Sequence, residues 1–419
     1  MIGRFRLRSD FARNLTTMLS GTTLAQAIPI AASPILTRLY SPEDFGLFAL
    51  FSSIVIVLSV MASGRYSMAI LLPKLDRDAL NVLGLSLLIA SLFCLTILLI
   101  VSIFYTYFMT IDQLQDIGRY LFLIPVTVFL VAVYDIFYNW TNRHKRYKNL
   151  AISKVTQATT TASVAILLGV KSFQSSGLII AQVVSQFFAT LYIVIVNRKV
   201  VIWSDISRAK MQEQLSRHVN FPKYDIPAAF LNTFSLQLPI FMLGFLFSPA
   251  VVGLFVLSRR IVGLPITVLA SSVTTVFKQR AASDFNRDGN CRYIYVKTFK
   301  MLLMVATVPS VILLVFAPEI FSFVFGEAWS EAGVYTQILI PMFFLRFVSS
   351  PLSYMFYILN KQKANMLGQG ILLICVGLSL WVGYVVDSVT VALALFSGVF
   401  SIFYIIYLYL SYGYAKGKC

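Results

Sequence analysis

Apolar residues fall along this chain in long unbroken blocks, neither alternating nor striped at helical spacing, and short polar connections separate the blocks. A block of about 20 residues crosses the roughly 30 Å hydrocarbon core of a bilayer as a helix, which satisfies its backbone amides internally. Twelve blocks predict twelve membrane-spanning helices: 14–38, 45–72, 79–107, 118–140, 149–170, 176–197, 224–246, 250–275, 294–317, 333–358, 364–385 and 389–411. The N-terminal MIGRFRLRSDFAR carries a basic flank like that of a secretory signal. The apolar stretch after it is full length, holds Pro29 and Pro34, and lacks a small-residue cleavage site, so it is expected to be a first span.

Composition agrees. With 58% hydrophobic and 12% charged residues, and a mean hydropathy of +0.81, the 419-residue chain has too little polar surface for a soluble globule. A net charge of +17 would suggest nucleic acid in a soluble protein, but the placement of the charge argues otherwise. Of the 34 Lys and Arg, only Arg38, Arg119 and Lys171 fall in the odd-numbered loops. Most of the others lie at the termini and in the even-numbered loops, with six within or at the ends of spans, so both termini are expected in the cytoplasm. The basic runs at 142–148 and 198–210 then read as topology determinants that also touch anionic membrane lipids, and no nucleic-acid partner is expected. Cys94, Cys291, Cys375 and Cys419 form neither a disulfide framework nor metal spacing, and with only His144 and His218 no metal site is expected.

The chain repeats itself. LYSPEDFGLFALFSSIV at 39–55 and LFSPAVVGLFVLSRRIV at 246–262 agree at nine of seventeen positions, including Ser-Pro and Gly-Leu-Phe. Six spans separate the copies, and an even number returns the chain to the same side of the membrane. LIP at 123–125 with NRHK at 142–145 recurs as LIP at 339–341 with NKQK at 360–363. The expected architecture is therefore two parallel-repeat six-helix bundles around a central cleft: residues 1–197, a basic cytoplasmic linker at 198–223, and residues 224–419.

ILTRLYSPEDFGLFALFSSI, SGRYSMAILLPKLDRDA (63–79), FPKYDIPAAFLNTFSLQLPI (221–240), LSRRIVGLPITVL (257–269) and RFVSSPLS (346–353) together resemble the bacterial lipid-linked oligosaccharide flippases. These are the O-antigen and capsular polysaccharide transporters of the multidrug/oligosaccharidyl-lipid/polysaccharide exporter superfamily. The resemblance spans nearly the whole chain. It implies movement of an undecaprenyl-pyrophosphate-linked oligosaccharide from the cytoplasmic to the periplasmic leaflet of the bacterial inner membrane, by alternating access and alongside other polysaccharide assembly proteins. The family commonly has Glu after Gly-Arg-Tyr, where this chain has Ser67, so no role of a carboxylate there carries over.

The substrate's chemistry sets the demands on the interior. A pyrophosphate diester carries about two negative charges and its glycan many hydroxyls, and desolvating these without partners is costly. The spans hold Arg65, Lys154, Arg259, Arg260, Lys300 and Arg346 against Asp135, with Asp225 close to a span end. An intramembrane cation is costly and normally faces an interior with a purpose. Lys300 is expected to snorkel to the interface. Arg259, Arg260 and Arg346 lie near mid-span, and with Arg65 they are the expected pyrophosphate-binding cations. Adjacent helical residues point about 100° apart, so Arg259 and Arg260 cannot face the cleft equally; the resemblance points to Arg260.

Asp135 and Lys154 sit at equal distance from the 141–148 turn, which fits either a structural ion pair or a role in transport. Asp225 and Asp135 are the candidate carboxylates for coupling to an H⁺ or Na⁺ gradient, with the membrane potential as the alternative driver and no cofactor. Gln157, Gln182, Gln186 and Asn232 form polar stripes suited to sugar hydroxyls or to interhelical hydrogen bonds. Pro29 and Pro239, in the first helices of the two bundles, are candidate hinges or static kinks. A drug-cation exporter of the same superfamily would favour intramembrane acids. A membrane glycosyltransferase or polymerase would need catalytic groups on a large external loop, and none exceeds about 15 residues. Transport rather than enzymatic activity is the expectation.

Overall fold

The computed structural model describes residues 2–110, 118, 120–265, 270–359 and 361–417. Arg119 and Cys419 lie outside them. Sixteen α-helices occur among the described residues: α1 Ile2–Leu39, α2 Pro42–Ala62, α3 Tyr66–Ala69, α4 Asp76–Phe108, α5 Leu123–Arg143, α6 Tyr147–Val170, α7 Gln174–Asn197, α8 Arg208–Arg217, α9 Ile226–Leu246, α10 Pro249–Pro265, α11 Ser271–Asp288, α12 Arg292–Phe325, α13 Ser330–Leu352, α14 Met355–Ile358, α15 Gln362–Val385 and α16 Val389–Ala415. Helices occupy all twelve apolar blocks, but three blocks are divided: 45–72 between α2 and α3, 250–275 between α10 and α11, and 333–358 between α13 and α14. The fold is an all-α membrane protein. Nine of the described helical segments are long and apolar enough to span a bilayer. Helix α6 is long enough but too polar, because it carries Lys154, Gln157 and a run of threonines.

The repeated Ser-Pro has a local cause in each copy. Ser41 caps α2: its hydroxyl accepts the Asp44 amide at 3.2 Å, and the Asp44 carboxylate accepts the Ser41 amide at 3.0 Å. Pro42 follows at the first helical position, where its missing N–H costs nothing. In the second copy the Ser248 hydroxyl accepts the Val251 amide and Pro249 opens α10. The first turn is further locked by Tyr40, which is 3% exposed and donates its hydroxyl to the Ala165 carbonyl in α6 at 2.7 Å. Gly169 and Gly177 make room for it. A Cβ at Gly169 would lie 2.8 Å from the Tyr40 ring, and one at Gly177 would collide with the hydroxyl.

The chain divides into two compact units, Met1–Gln237 and Leu238–Cys419, with the boundary inside α9. In the first unit α4 packs on α5, α5 on α7, α6 on α7 and α2 on α5. In the second, the pairings six spans later recur: α12 with α13, α13 with α16, α15 with α16 and α10 with α13. The sequence repeat is thus also a repeat of packing. Helix α1 remains unbroken through Pro29 and Pro34, and α9 through Pro239.

The linker is fastened to the first unit. Asn81 in α4, fully buried, donates its amide to the carbonyls of Arg77 (2.8 Å) and Asp205 (3.2 Å) and accepts the Ser207 amide at 2.9 Å. Helix α8 lies against α4 beyond this clamp. At the end of α8, burial and then the neighbouring Arg217 charge push the His218 imidazole below its ordinary value.

Candidate functional site

The expected second span, 45–72, is not one helix. It stops at Ala62, turns through Gly64 and Arg65, both at φ 61°, and resumes as α3. Glycine takes this left-handed conformation freely, whereas for arginine it costs about 1–2 kcal/mol, so surrounding contacts must hold Arg65 there. Each residue of Gly-Arg-Tyr has a distinct task. Gly64 permits the turn, Arg65 reaches Asp225, and Tyr66, 2% exposed, donates its hydroxyl to the Leu215 carbonyl of α8 at 3.1 Å. The Arg65 Nε lies 2.7 Å from the Asp225 Oδ2. Asp225 ends a π-helical turn, Phe221–Asp225, that leads directly into α9. Asp225, one of the two candidate carboxylates for ion coupling, is therefore the counter-ion of a cavity arginine.

Arg65 borders an open cavity of about 570 Å³ within the first unit, and Asp135, Gln157, Gln182 and Gln186 border it too. Five residues singled out from the sequence on four different spans thus converge. Gln157 Nε2 donates to Gln186 Oε1 at 2.6 Å, and Gln182 Oε1 accepts the Ser52 hydroxyl at 2.7 Å. The glutamines are therefore both interhelical ties and cavity lining. Tyr138, Asn139, Ser63 and Ser67 complete the wall. Ser63 donates to Ser67 at 3.1 Å, so a hydroxyl pair occupies the place where the resembled family commonly carries a carboxylate. Sequence reasoning missed Tyr138 and Asn139, although Asp135, Tyr138 and Asn139 share the i, i+3, i+4 spacing of one helix face in an apolar span.

Of the two readings open for Asp135 and Lys154, the ion pair does not form. Asp135 is exposed at the cavity and near enough to Arg65 for their charges to interact, whereas Lys154 lies over the Tyr138 ring with Nζ 5.4 Å from its centroid. Equal depth on a hairpin does not place two side chains on facing sides. Asn232, expected among sugar contacts, is exposed on α9 and does not border this cavity. Lys300 is exposed.

In the second unit Arg259 and Arg260 follow Pro249 by ten and eleven residues, or about 15–17 Å along α10. Arg346 lies within about 5 Å of the middle of the Glu327–Ile358 span. Arg259 and Arg346 are close enough for their charges to interact, and the Tyr404 phenol lies near both. Arg260, a step of about 100° around the helix, is not part of that group. All three arginines are half-buried, and no described acid forms an ion pair with Arg260 or Arg346. Tyr404 was not legible as a partner, since its side chain comes from the last span. Among the described residues no three His, Cys, Asp or Glu converge as metal ligands would.

Residues 35–334 match the model of a family described as polysaccharide biosynthesis protein. The chain belongs to that family. No curated protein sequence matches it. Among solved structures, the chain is similar to the inward closed conformation of the lipid II flippase MurJ: TM-score 0.74, 14% identity, covering 94% of this chain and 87% of that one. An inward-facing multidrug resistance MATE family transporter of the MOP superfamily gives a TM-score of 0.63 at 15% identity, covering 94% and 97%. A point mutant of the Vibrio cholerae MATE transporter VcmN gives 0.57 at 12% identity, covering 98% and 97%. The fold is that of MOP superfamily transporters.

Proposed function

We propose that this member of the polysaccharide biosynthesis protein family is a flippase. It moves an undecaprenyl-pyrophosphate-linked oligosaccharide repeat unit from the cytoplasmic to the periplasmic leaflet of the bacterial inner membrane by alternating access, with both termini in the cytoplasm. The observation that carries the reading is the first unit's cavity, where three glutamines, Asn139, Tyr138 and one arginine meet. Amides pair with sugar hydroxyls, an aromatic ring offers a flat apolar face to a pyranose, and guanidinium grips phosphate oxygens. A drug-cation exporter would need acids there; the cavity offers only Asp135, with Arg65 nearby. The second unit adds three half-buried arginines, a cost in a membrane that a passing anion offsets. An inside-negative potential would drive two phosphate charges outward by about 4.6 kcal/mol per 100 mV, with Asp135 as the carboxylate for any H⁺ or Na⁺ coupling.

Proteoliposomes holding a fluorescent lipid-linked oligosaccharide, with an impermeant quencher outside and imposed ion gradients or potentials, test the reading. Protein-dependent transbilayer movement is expected. Absence of movement, with organic-cation efflux in its place, would replace the flippase with a drug exporter.

A further inference from the structure

Arg65 uses one of its five N–H donors on Asp225. Its Nε makes that 2.7 Å contact, and its two terminal nitrogens have no hydrogen-bond partner among the described residues. The guanidinium therefore meets protein on one edge and borders the cavity with its fork unoccupied. Asp225 is outside the cavity lining and belongs to a segment held by little else. None of residues 221–225 is buried, and the contact with Arg65 is the only hydrogen bond from a side chain of residues 219–225 to the rest of the first unit among the described residues.

We propose that Asp225 is a resident competitor at Arg65: the lipid's pyrophosphate displaces its carboxylate, which sets the affinity of the cavity and frees the foot of α9. The inference rests on the flippase reading and adds to it a residue that never touches the cargo. The pair suits exchange because it is partly exposed, with side chains 23% and 42% accessible, and ion pairs of that kind shift an equilibrium by a factor of only about two to five. A pyrophosphate brings more charge and can take the open fork bidentately, so it wins the guanidinium. The positive charge is never left bare during the exchange. The displaced carboxylate then faces a like charge and moves away, and the π-turn that it anchors is continuous with α9. Asp135, exposed on the cavity side and with no hydrogen bond to its carboxylate among the described residues, adds to the repulsion that keeps binding moderate. Asp225 thus acts through Arg65 as a positioning residue.

The test uses the full chain in nanodiscs, its four cysteines replaced, with nitroxide labels at Lys74→Cys and Tyr224→Cys, both exposed positions. Farnesyl pyrophosphate is titrated, with farnesol and free inorganic pyrophosphate as parallel probes that separate the lipid-borne phosphate from the free anion. In the otherwise wild-type chain farnesyl pyrophosphate should lengthen or broaden the 74–224 distance. Asp225→Asn should bind it about two- to five-fold more tightly, show the altered distance without ligand, and flip more slowly despite tighter binding. Asp225→Glu should restore both values. Arg65→Asn, chosen because asparagine tolerates the left-handed backbone, should lose binding and keep the altered distance. If the otherwise wild-type chain binds and Asp225→Asn leaves affinity and distance unchanged, or weakens binding, the competitor role is refuted and the flippase reading stands. If no pyrophosphate binds the otherwise wild-type chain, both fall.

Discussion

Removing an arginine from the second unit should move stability and transport in opposite directions. Arg260 is half-buried on a membrane span with no described acid in ion-pair contact, and a cation at the centre of a helix costs about 2.5–3.5 kcal/mol on insertion scales. Being half-buried, Arg260 bears part of that cost, so Arg260→Ala should leave the melting temperature of the detergent-purified protein unchanged or raise it. Arg346→Ala should do the same for a second reason, since it relieves the repulsion with Arg259. Transport should respond the other way. A charge-assisted hydrogen bond to phosphate is worth about 1.5–3 kcal/mol, so losing one should slow flipping by roughly 10- to 150-fold in proteoliposomes. Lysine at either position should recover only part of this, because it offers a point charge in place of a planar fork. Scanning fluorimetry and the quenching assay on the same preparations decide the matter. A melting temperature that falls in step with transport would make these arginines structural. Wild-type flipping by both alanine variants would end the phosphate-binding role.

Three further outcomes follow from particular contacts. Asn81→Ala removes two hydrogen bonds to the linker backbone at about 0.5–1.5 kcal/mol each, so hydrogen exchange across 203–211 should speed up roughly 5- to 150-fold, and unchanged protection would mean the linker is held elsewhere. Gln186→Leu strips Gln157 of its acceptor and should slow flipping of a glycan-bearing lipid by roughly 2- to 12-fold while sparing a prenyl pyrophosphate without sugars; equal slowing of both would deny the glutamines a sugar-specific role. His218 has a folded-state pKa below its ordinary value of about 6.5, so its contribution is intact above that pH and is lost as pH falls through the folded value. Exchange protection of α8 should therefore weaken on acidification, and His218→Gln should remove that pH dependence.

How far the sequence reached depends on the kind of physics involved. Helix number and placement were legible because crossing hydrocarbon demands long apolar blocks, and the repeat was legible because Ser-Pro is a helix start, a capping hydroxyl followed by a residue that needs no N–H. Hydropathy does not sense backbone dihedrals, so the break at Gly64–Arg65 was hidden inside a span read as continuous. The cavity's glutamines were visible as polar residues at helical spacing in apolar segments. The Arg65–Asp225 pair was not, since 160 residues separate its members and only tertiary packing brings them together. Helix α6 shows the same physics from the other side. Its Gln157 lines the polar cavity while Thr156, Thr159, Thr160 and Lys148 line a second cavity of about 580 Å³ against α1, so cavity lining on two faces lowers its hydropathy.

The uneven distribution of acids bears on how a flippase releases its cargo. Arg65 has a carboxylate on it and a second one nearby, so anything that binds there must compete, and the grip is correspondingly loose. Arg260 and Arg346 have no described acid paired with them, so an anion that reaches them meets no protein competitor. Under the proposed cycle, loading at Arg65 is reversible by design of the local charges, whereas leaving the second unit's arginines requires another source of free energy. The membrane potential is of the right size: about 2.3 kcal/mol per charge per 100 mV, for two charges, exceeds one charge-assisted hydrogen bond of about 1.5–3 kcal/mol. Collapsing the potential should therefore leave farnesyl pyrophosphate binding at the first unit intact and slow the overall flip. If flipping proves indifferent to potential but sensitive to Asp135→Asn under a pH or Na⁺ gradient, release is powered by the ion and not by the charge of the cargo.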